Sequence, residues 1–268
     1  MEPIRDIPLR AIESARTRIM DAAVRTPLLP VELDGCRIWL KLECLQPIGS
    51  FKIRGAANAM SLADPTLLAE GVYTASAGNM AQGVAFAARN RGIPCRVIVP
   101  DTAPRTKVSA ICDLGATVVS LRWDEWWTII REHGRQGETG FFIHPVSDPA
   151  VIAGNGTVGL EILDDLPDVD TVFVPYGGGG LSCGIASAIR AKRGGVRVYA
   201  AEVETAAPLS VSIEAGRAST VERVPTFVDG IGGASVLEEM WPLASTLLDG
   251  SHVKTIAEIC EAIRALAL

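Results

Sequence analysis

Short runs of β-branched and apolar residues alternate along this chain with longer segments of helical pattern, and this alternation constrains the fold more than any other feature. The run Thr171-Val172-Phe173-Val174 is apolar without alternation, as is typical of a strand buried on both faces. Because strands separated by helices usually pair in parallel, the pattern predicts a doubly wound α/β fold. In such a fold, ligands bind beyond the carboxyl ends of the strands.

The pattern gives approximate bounds for the elements. We predict strands at Arg37–Leu42, Cys95–Pro100, Thr117–Leu121, Thr171–Pro175 and Val196–Glu202. We predict helices at Leu9–Val24, Ile53–Ala63, Met80–Asn90, Arg105–Leu114, Thr157–Leu166, Leu181–Arg190 and Ile256–Leu268. Gly92 and Gly115 follow two of these helices, where glycine suits a left-handed C-terminal cap.

Composition excludes several classes of protein. The 268 residues are 48% hydrophobic and 21% charged, which is typical of a globular chain. The net charge of -6 argues against nucleic acid as a partner. No apolar run approaches the roughly 20 residues that span a bilayer, so no membrane partner is expected. The first 18 residues mix both charge signs and lack the apolar core of a signal peptide, so we expect a cytoplasmic protein.

Cysteine and histidine give little support to metal or triad chemistry. The cysteines form no CxxC pair, so we interpret most of them as buried thiols. No two histidines have a metal-ligand spacing, and no G-x-S-x-G motif supports a Ser-His-Asp triad. The residues concerned are Cys36, Cys44, Cys95, Cys112, Cys183, Cys260, His133, His144 and His252.

The segment Gly49-Ser50-Phe51-Lys52-Ile53-Arg54-Gly55 offers a candidate nucleophile. We predict that Ser50 caps a helix whose first turn holds Lys52. A cation at that end opposes the helix dipole, which favours the neutral amine that reaction with a carbonyl requires. The alternative is an ordinary surface lysine.

The run Gly177-Gly178-Gly179-Gly180 follows a predicted strand and precedes a predicted helix. Consecutive glycines let backbone N–H groups converge on a phosphate at a helix N-terminus. The run matches neither the G-x-G-x-x-G dinucleotide motif nor a P-loop, so it indicates a cradle for a single phosphate. The alternative is a flexible loop.

A third segment, Ser76-Ala77-Gly78-Asn79-Met80, precedes a predicted helix. We predict that Asn79 caps this helix. The free backbone N–H groups at the start of the helix would also suit a carboxylate.

Together these segments resemble a known family. The stretch KLECLQP running into GSFKIRG, then SAGNM, then PYGGGGL, is similar to the fold type II enzymes that use pyridoxal phosphate (PLP), of tryptophan synthase β-like fold. Within them the chain looks most like the threonine/serine dehydratase and serine racemase group. The resemblance also covers His144-Pro145 and AGNGT at 153–157. It implies two open, twisted, mostly parallel sheets flanked by helices.

The resemblance also implies a role for each matching residue. Lys52 would bind the cofactor covalently and act as the base, Phe51 would pack beside the cofactor ring, and Asn79 would bond its 3′-hydroxyl. Backbone N–H groups would hold the phosphate, and another group of residues would line the site for the substrate carboxylate. The phosphate residues are Gly177, Gly178, Gly179, Gly180 and Leu181, and the carboxylate residues are Ser76, Ala77, Gly78 and Met80.

The implied reaction is dehydration of a small β-hydroxy amino acid, such as L-threonine or L-serine, to a 2-keto acid and ammonia. Racemases of the group carry a serine where this chain has Ala77, and alanine cannot move a proton. Met80 replaces the usual histidine, which leaves the identity of the substrate open. The metal site of some relatives matches Glu202, Ala206 and Pro208, and because proline offers no carboxylate we expect no bound cation. We interpret Glu202 itself as a solvated carboxylate.

The resemblance further implies a homodimer and two domains. A large PLP-binding domain would comprise 1–68 together with 147–268, and a small domain would occupy 69–146. Relatives continue beyond the position of Leu268 to a residue facing the pyridine nitrogen, so we expect an incomplete C-terminal end and no regulatory domain. Three alternatives stay open: a serine racemase, a cysteine synthase-like β-replacement enzyme, and an inactive PLP-binding protein.

Overall fold

A computed structural model describes residues 2–33 and 35–267 and confirms the alternation of strands and helices. The strands are β1 (Leu28–Leu33), β2 (Cys36–Lys41), β3 (Val72–Ala75), β4 (Cys95–Pro100), β5 (Thr117–Leu121), β6 (Phe141–Phe142), β7 (Thr171–Pro175), β8 (Arg197–Val203) and β9 (Gly250–Lys254). The helices are α1 (Leu9–Arg18), α2 (Lys52–Leu62), α3 (Pro65–Ala69), α4 (Asn79–Arg91), α5 (Arg105–Asp113), α6 (Trp123–Arg131), α7 (Pro149–Asp165), α8 (Gly180–Lys192), α9 (Pro208–Ala215), α10 (Trp241–Leu247) and α11 (Ile256–Ala267).

Two parallel sheets organise the molecule. One has the strand order β5-β4-β3-β6 and the other the order β7-β8-β9, and every pairing in both is parallel. β1 and β2 form a separate antiparallel pair. The predicted α/β class with two mostly parallel sheets is therefore confirmed.

Most predicted elements lie where the sequence placed them. The bounds of β4, β5 and β7 agree with the prediction, and Gly92 and Gly115 adopt the expected positive φ of 65° and 88°. α1 ends at Arg18, six residues before the predicted end. The last residue of the predicted C-terminal helix, Leu268, lies outside the described residues.

The predicted start of α7 at Thr157 is wrong. The helix begins eight residues earlier, because Asp148 accepts hydrogen bonds from the N–H groups of Ala150 and Val151 and Pro149 suits the first turn. Its internal glycines, which weaken a helix by themselves, allow close packing here: a Cβ on Gly154 would lie 2.5 Å from the carbonyl oxygen of Arg54 in α2. Among the described residues, no helix is long and apolar enough to cross a membrane.

Two main apolar clusters fill the interior. One joins β7 and β8 to α1, α7, α8 and α10, and the other joins β3 and β4 to α2, α4 and α5. The β3–β6 sheet lies within 69–146, the predicted small domain, although α2 packs into the same cluster. The two-domain division itself stays a prediction.

The interpretation of most cysteines as buried thiols is wrong. Only Cys95 and Cys183 are buried, whereas Cys36, Cys44 and Cys112 are exposed. The exposed three lie on β2, in the short helical turn after it, and near the end of α5, where the side chain faces solvent.

Candidate active site

Lys52 is the first residue of α2. Phe51 immediately precedes the helix and forms no side-chain cap bond itself. The Ser50 hydroxyl accepts the N–H of Lys52, the first residue of the helix, at 3.3 Å across a tight turn, so Ser50 caps the helix start as predicted. This turn fixes the direction in which the lysine leaves the backbone.

The amine of Lys52 contacts a backbone carbonyl and an aromatic ring. Its Nζ donates to the carbonyl oxygen of Pro145 at 3.2 Å and lies 5.4 Å from the centroid of the Phe51 ring. Burial disfavours the charged form and lowers the pKa of Lys52 to about 8. A substantial fraction of the amine is therefore neutral near physiological pH and can act as a nucleophile or base.

The glycine run forms the connection from β7 to α8. Gly179 is the N-cap residue with φ of 93°, a conformation that L side chains rarely adopt. The N–H groups of the four glycines and of Leu181 have no acceptor among the residues that the structure describes. Free amides at a helix N-terminus are suited to bind an anion.

A turn at residues 144–147 brings the lysine and the glycine run together. The carbonyl of Pro145 accepts from Lys52, while Val146 packs against the glycines. A Cβ on Gly178 would lie only 2.6 Å from the methyl groups of Val146. The two segments singled out in the sequence are thus neighbours in space.

The segment 76–80 lies at the start of α4. Gly78 is the N-cap residue without a side-chain cap bond, so the prediction that Asn79 caps the helix is wrong. Asn79 is exposed, Ala77 is half-buried, and Met80 is 2% exposed within the apolar cluster of β3 and β4. The helix packs against the lysine turn, since a Cβ on Gly83 would lie 3.1 Å from the Lys52 carbonyl oxygen.

Sequence reasoning assigned no role to Arg54, which is 1% exposed. Its guanidinium donates two hydrogen bonds to Glu43, both at 2.8 Å, and two to Glu161, at 2.6 and 2.9 Å. Thr157 and the Val24 carbonyl accept two more. This network anchors the first turn of α2 to α7. No sequence signal reveals it, because Glu161 is 107 positions away.

The interpretation of Glu202 as a solvated carboxylate is wrong. Glu202 is 1% exposed, and its carboxylate accepts the N–H groups of Leu209 and Ser210, both at 2.8 Å. The hydroxyls of Ser210 and Ser251 also donate to it, at 3.0 and 2.7 Å. The residue binds the first turn of α9, where negative charge complements the helix dipole.

Comparison with known proteins decides the family. The family model described as "Pyridoxal-phosphate dependent enzyme" matches residues 19–268. The chain belongs to this family. It is 41% identical over 267 residues to an L-threonine ammonia-lyase of Geobacter sulfurreducens and 39% identical over 264 residues to one of Thermotoga maritima. These alignments cover 97% and 96% of the chain but 66% and 65% of the relatives, so the chain spans just under two thirds of their length.

Solved structures agree with the family assignment. Maize serine racemase superimposes with a TM-score of 0.89 at 34% identity, covering 97% of this chain and 79% of that one. The fold is therefore that of a fold type II PLP enzyme.

The described residues fit the family's cofactor. PLP carries an aldehyde and a phosphate; Lys52 offers an amine of lowered pKa for the first, and the unpaired amides of the glycine run offer donors for the second. Beside this run the side-chain amide nitrogen of Asn155 donates to the Gly180 carbonyl at 3.3 Å, which holds the start of α8 against α7. The individual cofactor and substrate roles predicted above stay predictions.

Proposed function

We propose that this chain is a PLP-dependent ammonia-lyase that converts a small β-hydroxy amino acid, such as L-threonine or L-serine, to a 2-keto acid and ammonia. The observation that carries the proposal is the half-buried Lys52, whose amine is held beside a glycine run with free amides. The relatives named L-threonine ammonia-lyase support the reaction type.

The residues would divide the work. The amides of Gly177, Gly178, Gly179, Gly180 and Leu181 would hold the phosphate, and Lys52 would bind the cofactor covalently. The N-terminal turn of α4, preceded by Ser76, Ala77 and Gly78, would receive the substrate carboxylate, with Asn79 facing the ring and Phe51 packed beside it. Once bound, PLP supplies an electron sink for negative charge at the substrate Cα.

Lys52 is the group that would move the proton. With its amine free and neutral, it can take the proton from Cα, and the lowered pKa makes this form available near pH 8. Loss of that proton and of the β-hydroxyl amounts to loss of water, and hydrolysis of the resulting enamine returns the water and gives the keto acid and ammonia.

Racemisation is the alternative that a specific observation favours, because maize serine racemase is a close structural neighbour. A racemase needs a second acid or base on the opposite face of Cα. Ala77, at the position where the resemblance implies that base, has no proton to give. We therefore propose that elimination dominates.

We also propose that the protein is a homodimer that acts in the cytoplasm. The family resemblance supports the dimer, and the free cysteines support a reducing compartment. Multi-angle light scattering of the purified protein tests the dimer, since a monomeric mass would contradict it.

One experiment tests the reaction. The protein with PLP is incubated with L-serine or L-threonine, and 2-keto acid, ammonia and D-amino acid are quantified together. We expect keto acid and ammonia in equal amounts, abolished by Lys52→Ala and retained by Lys192→Ala, whose exposed side chain pairs with Glu13 at 2.9 Å. D-serine as the main product would establish the racemase, and neither product would contradict the proposed function.

A further inference from the structure

The turn at residues 144–147 contacts both halves of the candidate site. Its Pro145 carbonyl is the acceptor for the Lys52 amine at 3.2 Å. Its Val146 methyl groups define the space beside Gly178, and the Val146 carbonyl would lie 3.2 Å from a Cβ on Gly180. A displacement of this turn would therefore disturb the lysine and the glycine run together.

His144 holds the turn from inside. Its Nδ1 accepts the N–H of Ser147 at 2.7 Å and the N–H of Val146 at 3.1 Å. Its Nε2 lies 3.1 Å from the carbonyl oxygen of Ile130, at the end of α6. Only the neutral tautomer with the proton on Nε2 satisfies all three contacts, since Nδ1 must accept while Nε2 donates.

The surroundings keep this imidazole neutral. His144 is 2% exposed, and burial lowers its pKa to about 3. The ring of His133 stacks on it with centroids 4.1 Å apart, and Glu239 faces His133 at 3.1 Å and the Ser147 hydroxyl at 2.8 Å. The acceptor at Nδ1 is thus present throughout the physiological pH range.

The same groups are poorly suited to bind a cation. His133, His144 and Glu239 lie close enough to share an ion. However, both ring nitrogens of His144 are already engaged by the backbone, and a metal would have to displace these hydrogen bonds.

We propose that His144 is a positioning residue for Lys52: its acceptor nitrogen fixes the 144–147 turn, which places the Pro145 carbonyl at the lysine amine and Val146 against the glycine run. This inference rests on the role of Lys52 in the proposed function. It concerns ground-state geometry and is independent of which amino acid is the substrate.

Two substitutions separate this role from simple space filling. Asparagine places an acceptor near the position of Nδ1 and lacks a group at Nε2, whereas glutamine places a donor near Nε2 and lacks the near acceptor. If His144 only fills space, the larger glutamine is the better replacement. If it holds the turn, His144→Asn is the better one.

The first measurement uses the full chain freed of PLP by dialysis. Lys52 is labelled with trinitrobenzenesulfonate at a series of pH values, and the labelled peptide is quantified by mass spectrometry. In His144→Gln the Pro145 carbonyl no longer supports the ammonium form, so the labelling midpoint falls by about 0.5 to 1 on the pH scale. In His144→Asn it stays at the wild-type value. An unchanged or raised midpoint in the glutamine variant, or equal shifts in both, would overturn the proposal.

The second measurement is the dissociation constant of PLP itself. We expect it to rise about fivefold in His144→Gln, the equivalent of one lost hydrogen bond, and to change less than twofold in His144→Asn. The reverse order would refute the positioning role. Neither measurement involves turnover. Both therefore test the positioning role of His144 even if the protein is not an ammonia-lyase.

If the glutamine variant does not fold, the wild-type protein still tests the inference. NMR of ¹⁵N-histidine-labelled protein reports tautomer and protonation, and the signal missing from His144→Asn identifies the residue. We expect a neutral ring protonated on Nε2 between about pH 5 and 8, well above its depressed pKa. A ring that titrates in this range, or carries its proton on Nδ1, would overturn the proposal.

Discussion

At the scale of single residues, Lys52 and the residues that hold it in place differ in how far the sequence alone predicts them. Lys52 was predictable, because the residue itself and its place in the first turn of a helix are indicated by seven consecutive residues. Arg54 acts through Glu161, 107 positions along the chain, and the His144 ring meets the Ile130 carbonyl only in the folded structure. Local sequence can nominate a nucleophile, whereas the groups that hold it depend on tertiary contacts.

Buried Arg54 provides a stability prediction. Replacing it with methionine leaves the carboxylates of Glu43 and Glu161 without their principal partner in the interior. We expect a loss of about 3 to 5 kcal/mol in the free energy of unfolding, measured by urea denaturation. The matched control, Arg37→Met, breaks an exposed pair with Glu32 and should lose less than about 1 kcal/mol. Equal losses would contradict the buried network.

Lys52 provides a prediction about pH. Its folded pKa of about 8 lies below the ordinary 10.5, so the unfolded chain binds more protons between these values. The lysine therefore destabilises the PLP-free protein most below pH 8, and this penalty disappears as the pH rises toward 10.5. We expect Lys52→Met to exceed the wild type in stability by about 1 to 3 kcal/mol at pH 7, with a difference that shrinks by pH 9.5. Urea denaturation at both pH values, with Lys192→Met as control, measures this; a difference independent of pH would refute it.

At the scale of elements, the sequence predicted what local pattern determines. β4, β5 and β7 are apolar runs with clear ends, and the structure reproduces their bounds. β9 was missed because Gly250-Ser251-His252-Val253-Lys254 is mostly polar and becomes a strand only by pairing with β8. The start of α7 was missed because its glycines weaken the helical pattern. These glycines allow α7 to pack closely on α2 and α8, and that contact exists only in the folded structure.

Close packing of α7 on α2 provides a second stability prediction. An added methyl group at Gly154 would meet the Arg54 backbone at 2.5 Å, so Gly154→Ala must separate the helices. We expect a loss of about 1 to 3 kcal/mol, seen as a lower thermal midpoint. Gly194→Ala, where a Cβ meets nothing within 4 Å, should leave the midpoint nearly unchanged. If the two variants melt together, the helices are less tightly packed than described.

At the scale of the whole molecule, the candidate site joins two parts of the interior. Ile53, next to Lys52, lies in the apolar cluster of β3 and β4, whereas Ile185 of α8, the helix after the glycine run, lies in that of β7 and β8. A ligand held by both elements should therefore stabilise both clusters. This placement explains why neither the lysine segment nor the glycine run, taken alone, predicts that the two are neighbours in space.

Cofactor binding should consequently raise the stability of the entire fold. At a PLP concentration about 100 times its dissociation constant, we expect a gain of about 2.7 kcal/mol, observed as a higher thermal midpoint. At the same PLP concentration the gain should be smaller in Lys52→Ala, which retains the phosphate site but lacks the amine. No gain in the wild type would contradict a site shared by the two clusters.

The most direct test of the central claim is the chemical identification of the residue that binds the cofactor. The protein is incubated with PLP, reduced with borohydride and digested, and the peptides are sequenced by mass spectrometry. We predict a phosphopyridoxyl group on Lys52 and no comparable label on Lys41, which is engaged by Glu161 at 2.7 Å. Labelling of another lysine, or no label at all, would contradict the account.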